Sequence, residues 1–270
     1  MGSSSVISNN RPFPLPRTFK EKIWGRNDLS PWYPNSDRKI GEVWFEADLP
    51  LLVKFVLTSE RLSVQVHPDD AFASRHENSR GKTEMWHVLK ADPGAHVALG
   101  FREPISRERM RESALSGEIE QLLQWVDVKA GDTFFVPAKT VHALGPGLVV
   151  CEIQQHSDVT YRLYDYGRPR ELHLEKAMQV ASTAHFDASP RTLPVDCEYF
   201  HTEAMTVGRP TEYAPNATHF HILVFESGAG SIAGQPFRPG EAWLVPAGAA
   251  PFQIEPHDAT RLLRTWVPST

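Results

Sequence analysis

The chain has 270 residues, 41% of them apolar, and its 28 basic and 33 acidic side chains leave a formal charge of -5. That apolar content is enough for a packed core and excludes a disordered or linker-type chain. The mild acidity offers no global basic field for a nucleic-acid backbone or an anionic membrane, so an anionic ligand needs a local basic pocket.

In chain order, residues 1–18 are expected to be an N-terminal tail, and MGSSSVISNNRPFPLP lacks the basic-then-apolar pattern of a secretory signal. Short runs rich in Val, Leu, Phe and Trp, bounded by Pro, Gly, Asp or Asn, predict strands at 41–45, 51–57 and 84–89. Residues 105–126 follow a proline, carry Arg and Glu at helical spacing and close on the apolar run LLQWV, which predicts one or two inserted helices. Strands follow at 133–136 and 148–154, then a second short helix over 172–181 bridging two halves, then strands at 220–226 and 242–245. Strands this short and frequent predict a mainly β sandwich or barrel. No apolar run approaches the roughly 18 residues of a membrane span. Cys151 and Cys197 are too few and too far apart for a disulfide scaffold, and a reduced cytoplasm fits them best.

Residues 131–142, GDTFFVPAKTVH, and 240–251, GEAWLVPAGAAP, align without gaps and share Gly131/Gly240, Val136/Val245, Pro137/Pro246 and Ala138/Ala247. Each copy reads as a turn, a strand and a tight Pro-containing turn that aims the next side chain inward. That side chain is His142 in the first copy and Pro251 in the second. The spacing resembles the second cupin motif, Gly-x5-Pro-x-Gly-x2-His, and departs from it at Lys139, where Gly is usual. The expectation is two cupin-like jelly-roll lobes: 19–185, which binds metal and carries the helical insert near 105–126, and 186–270, which lacks metal ligands.

Gln65 and His67 lie two apart in LSVQVHPDD, and residues i and i+2 of a strand face the same side, so an amide oxygen and an imidazole can converge on one point. Glu84 opens another strand and His142 follows in the repeat. Two imidazoles, a carboxylate and an amide oxygen form a donor set suited to zinc or another divalent first-row metal. Further on, alternation predicts Glu152, Gln154, His156 and Asp158 on one strand face, with Arg162 beyond them.

The segments LLVKFVLTSERLSVQVHPDD (51–70), GKTEMWHVL (81–89), VPAKTVHALGPG (136–147) and EIQQHSDVTYRLYDYGRPR (152–170) together closely resemble type I mannose-6-phosphate isomerases of the short bacterial form. KIWGRNDL, IGEVWFEAD and CEYFHTEAMTV extend the resemblance from about Phe19 to Thr270. It implies that Gln65, His67, Glu84 and His142 hold one zinc ion per chain, or another divalent metal. It also implies that Lys54, Ser63, Lys82 and Arg162 line a sugar-phosphate pocket. The expected reaction is interconversion of mannose 6-phosphate and fructose 6-phosphate through an enediol. Glu152 is the first candidate to shuttle the proton, Lys82 the second and Asp158 the third, with Arg162 supplying fixed positive charge. A small phosphosugar is the expected partner, with no nucleic acid and no membrane; monomer and homodimer both stay open. His156 stands where the family commonly has Asn. The alternatives are a sugar-binding or regulatory cupin without turnover, and a cupin isomerase acting on another phosphosugar. Trp24, Trp44 and Trp86 read as packing residues. His87 is expected to point away from the ligands, and the His219/His221 pair is not expected to form a second metal site.

Overall fold

The structure, a computed structural model, describes residues 10–268. The chain opens with β1 (Phe13–Pro14), β2 (Arg17–Arg26), β3 (Ile40–Phe45), β4 (Leu51–Leu57), β5 (Val64–Val66), α1 (Asp70–His76), β6 (Glu84–Ala91) and β7 (His96–Phe101). Next come α2 (Arg107–Ser116), α3 (Ile119–Leu122), β8 (Leu123–Asp127), β9 (Thr133–Val136), β10 (His142–Leu144), β11 (Leu148–Gln155), β12 (Tyr161–Tyr164) and α4 (Leu174–Val180). The remainder is all strand: β13 (Val195–Asp196), β14 (His201–Val207), β15 (Thr211–Tyr213), β16 (His221–Ser227), β17 (Gly230–Ile232), β18 (Gln235–Phe237), β19 (Glu241–Val245), β20 (Phe252–Pro256) and β21 (Thr260–Trp266).

These strands form four antiparallel sheets. The order β2-β3-β4-β11-β6-β9 faces β12-β5-β10-β7-β8, and β1-β19-β16-β21-β14-β13 faces β15-β20-β17-β18. Trp86, Val88, Leu99, Phe134, Leu144 and Val150 fill the first sandwich, and Leu223, Phe225, Phe237, Trp243 and Ile254 the second. The two six-stranded sheets also pack against each other, through Phe45, Val53, Phe55, Cys151 and Ile153 on one side and Ile222, Val224, Leu244 and Leu263 on the other. Every residue of β4 and β11 is therefore buried, which is why β4 reads as an apolar run broken only by Lys54, while β11 carries Glu152, Gln154 and Gln155 into the interior. Met110, Ala114, Ile119, Ala177 and Met178 from the helices cover Val64, Val66, Ala143 and Leu163 on the outer face of the five-stranded sheet. The mainly β, cupin-like architecture with a short helical insertion is thus as expected, and no helix among the described residues is long and apolar enough to cross a membrane.

Three local expectations change. The helical insert ends at Leu122, because Leu123–Asp127 pairs with β7 and closes the edge of the five-stranded sheet, with Trp125 Nε1 donating to Glu120 O at 2.8 Å. The polar alternation stops at Gln155: the Gln154 amide donates to Gln155 O at 2.8 Å and Ser157 O at 2.6 Å, which turns the chain and carries His156 and Asp158 onto an exposed loop. Residues 13–18 are not tail, since Phe13 and Pro14 pair with Leu244 and Trp243 and β2 begins at Arg17; residues 1–9 lie outside the described part.

The repeated turns are alike in conformation as well as in sequence. Gly131 and Gly240 have φ +93° and +81°, and Lys139 and Gly248, also 109 apart, have φ +74° and +67°. A left-handed lysine is strained, but here its N–H donates to His67 O at 2.7 Å and its ammonium pairs with Asp69 at 2.5 Å.

Candidate active site

Two rows of inward side chains face each other inside the first sandwich. On the six-stranded sheet, Trp44 lies opposite Lys54, Lys54 opposite Glu152 and Glu152 opposite Trp86; one step along, Gln154 lies opposite Glu84. On the facing sheet, Arg162 lies opposite Gln65, and Gln65 opposite His142. His67 follows β5 directly. Outward neighbours such as Val64, Val66, Ala143 and Leu163 anchor these short strands to the helices, so the alternation of each strand aims its polar residue inward.

The ligand-type atoms of His67, Glu84 and His142 lie within 4.8 Å of one another, and all three residues are buried. Each imidazole is oriented by a backbone carbonyl: His67 Nδ1 donates to Val159 O at 2.9 Å and His142 Nδ1 to Thr140 O at 2.8 Å. That tautomer leaves both Nε2 atoms turned to Glu84, at 3.6 Å and 3.5 Å, and His67 Nε2 has no hydrogen-bond partner. Trp86 Nε1 donates to Glu84 Oε1 at 3.0 Å and fixes the carboxylate. The Gln65 amide stands 3.3 Å from His142 Nε2, and Ser63 donates to its oxygen at 3.4 Å. Burial pushes His142 down to about 4 and His67 well below its usual value, so both rings are neutral, the form that binds metals. Convergent buried donors, ring tautomers fixed by carbonyls and an orphaned Nε2 fit a divalent cation.

Beside this cluster lies a four-charge network. Glu152 Oε1 is 3.5 Å from both Lys54 Nζ and Lys82 Nζ, and Lys82 Nζ is 2.9 Å from Glu84 Oε2 in an ion pair angled away from the hydrogen-bond direction. Burial alone raises Glu152, but the two ammonium groups outweigh it and hold its carboxyl below the usual value. Glu84 moves the opposite way, raised by burial and by the charge of Glu152. Burial opposes the charge on Lys82, yet Glu152 and Glu84 overcome it and raise its affinity for the proton. The site therefore carries an ionised carboxylate next to an ammonium group that does not give up its proton near neutrality.

Ser63 is buried at the edge of this pocket. Arg162 reaches Glu171 O with Nη1 at 2.6 Å, and its Nε has no hydrogen-bond partner. Asp158 is exposed on the loop between β11 and β12, close enough for its charge to favour the Lys54 ammonium group. His87 points to the opposite face, as expected, with its Nε2 3.2 Å from Glu226 Oε1 of β16. The orienting role of Trp86 is not evident from packing alone, but a pattern marks it: EVW, EMW and EAW each place a Trp two residues after a Glu. In all three, Trp44, Trp86 and Trp243, the indole donates to that Glu, at 3.1, 3.0 and 3.0 Å.

The second sandwich repeats the register without repeating the chemistry. His221 stands opposite Val245 as Glu84 stands opposite Val136, while Arg264 pairs with Glu203 where Glu152 pairs with Lys54. His221 Nδ1 is taken by Tyr213 OH at 2.6 Å, and no second His, Cys, Asp or Glu cluster of metal-binding shape occurs among the described residues.

No protein-family model matches the chain. The mannose-6-phosphate isomerase ManA of Bacillus subtilis is 32% identical over 88% of this chain and 93% of its own length. The protein named probable mannose-6-phosphate isomerase GmuF, also of Bacillus subtilis, is 40% identical over 94% of this chain and 82% of its own length. The crystal structure of the mannose 6-phosphate isomerase from Bacillus subtilis superposes with a TM-score of 0.85 at 29% identity, covering 94% of this chain and 99% of that one. With the register, the buried cluster and these relatives in agreement, the chain belongs to the mannose-6-phosphate isomerase family.

Proposed function

We propose that the protein interconverts mannose 6-phosphate and fructose 6-phosphate, with 19–185 as the catalytic lobe and 186–270 as a structural one. The observation that carries this reading is Glu152, ionised and held by two lysines beside a buried His67–Glu84–His142 cluster. His67, Glu84, His142 and Gln65 would hold a divalent cation, with zinc the expected one. When bound, such a cation supplies Lewis-acid stabilisation for negative charge on the sugar oxygens.

Isomerisation moves one proton between C1 and C2 of the open-chain sugar and another between their oxygens. Glu152 takes the proton from C2 and returns it to C1, because its carboxylate is already charged at neutral pH. Lys82 stays protonated under the influence of both carboxylates, which ranks it as a fixed charge rather than the base. Asp158, exposed on its loop, ranks below both. Lys54, Lys82, Ser63 and Arg162 supply the local positive and hydrogen-bonding groups that an anionic phosphosugar needs. Both cysteines are free, in keeping with a cytoplasmic location.

The test is to load the protein with metal, add mannose 6-phosphate in deuterated water, and follow fructose 6-phosphate by NMR. Conversion supports the reading; metal-bound protein that binds the sugar without converting it is a binding module instead.

A further inference from the structure

Lys54 is 1% exposed, yet its ammonium makes no hydrogen bond to any described residue. Its nearest charged neighbour is Glu152 Oε1 at 3.5 Å, and its other contact is the ring of Trp44, whose centroid lies 4.3 Å from Nζ. Burial and the charge of Lys82 work against the ammonium form, and the charges of Glu152, Glu42 and Asp158 only partly offset them. Something must hold this cation in place, and an aromatic face does so without neutralising it.

Trp44 is built for that contact. It lies directly opposite Lys54 in the sheet, and its indole is fixed by a hydrogen bond from Nε1 to Glu42 Oε2 at 3.1 Å. Glu42 Oε2 is in turn 3.0 Å from Lys22 Nζ, and Lys20 Nζ lies 4.9 Å from the same ring. A leucine would fill the strand position as well as an indole, but only an aromatic ring presents negative potential to a cation.

We propose that Trp44 is a positioning residue: its ring holds the Lys54 ammonium charged and aimed into the pocket, where Lys54 grips the anionic phosphosugar. This rests on the isomerase reading above and adds to it a residue that acts through Lys54 rather than on the substrate.

The experiment is steady-state kinetics of the metal-loaded enzyme. Trp44→Leu is expected to raise KM for mannose 6-phosphate by about 5- to 30-fold, the worth of a desolvated cation–π contact, with kcat within about twofold. Trp44→Phe restores part of the loss. In a Lys54→Met background, Trp44→Leu adds nothing further to KM. Site-specific fluorinated tryptophans at position 44 preserve shape and folding while draining the ring's negative potential, and KM should climb with each fluorine. A KM indifferent to fluorination, or a Trp44→Leu effect of undiminished size in the Lys54→Met background, overturns the proposal and leaves Trp44 as packing. Parent protein that binds metal but forms no fructose 6-phosphate overturns the isomerase reading instead, so the two failures are distinct.

Discussion

His221 occupies in the second sandwich the register position that Glu84 occupies in the first, each opposite the valine of the repeated strand. The repeat has kept the scaffold and changed the donor. Its imidazole is already committed to Tyr213, and no carboxylate–histidine cluster forms around it among the described residues. Purified protein is therefore expected to hold one equivalent of divalent metal per chain. Elemental analysis should find that His142→Ala abolishes binding while His221→Ala leaves it unchanged. Stripping the metal from the parent with a chelator is expected to lower Tm, since a ligand that binds only the folded state stabilises it.

Glu152→Gln keeps the size of the side chain and removes its charge. It should lower kcat by about 10²- to 10⁴-fold, the range for loss of a positioned base, with metal content intact. Lys82→Met is expected to act differently, because it removes the ammonium group that holds Glu152 low. The acidic limb of its kcat/KM profile should move to higher pH. Rates across pH 4 to 9 check both.

Trp86 touches neither substrate nor metal in the proposed mechanism, yet it fixes Glu84. Trp86→Phe keeps most of the buried ring and loses the donor, and metal affinity should fall about 10- to 100-fold, as when a partner that orients a ligand is removed. Competition with a chromophoric chelator measures this directly.

His87 and Glu226 meet where the two six-stranded sheets pack together. Burial lowers His87 from 6.5 to about 4 and raises Glu226 from 4.5 to about 7. The His87 contribution is present above its unfolded value and lost as pH falls through 6.5 to about 4; that of Glu226 is present below its unfolded value and lost as pH rises from 4.5 to about 7. In the parent these slopes oppose each other. His87→Gln should leave a protein that weakens as pH rises, and Glu226→Gln one that weakens as pH falls, each by at most about 1.4 kcal/mol per pH unit. Urea titrations at pH 5 and 7 distinguish them.

The metal-type residues were legible because strands have a period of two and because the repeat located His142, whereas Lys54, Ser63 and Lys82 and the roles of Glu152 and Arg162 were expected only from the resemblance to the family. Gln65 and His67 fall on one face by spacing alone, although His67 lies just past the end of the three-residue β5. The position of Asp158 was not legible, since the turn that displaces it depends on where the Gln154 amide finds its acceptors. The end of the helical insert was obscured for a related reason: LQWV satisfies a helix face or an edge strand equally, and only the free edge of β7 decides. The link from Trp44 to Lys54 was hidden because a packing tryptophan and a cation-holding one look identical until the opposite strand is in register.

The pairing of β1 with β19 ties the beginning of the chain to its last quarter, while β2 starts only three residues after Pro14. The Leu15 N–H adds a bond to Ala242 O at 2.8 Å. A fragment ending near residue 185 would carry a strand with no sheet to join, and its complement would expose the bare edge of β19, an invitation to aggregation. The two halves are thus not interchangeable cassettes. Separating the second sandwich intact would mean carrying Phe13–Leu15 along with it, although those residues sit at the opposite end of the sequence.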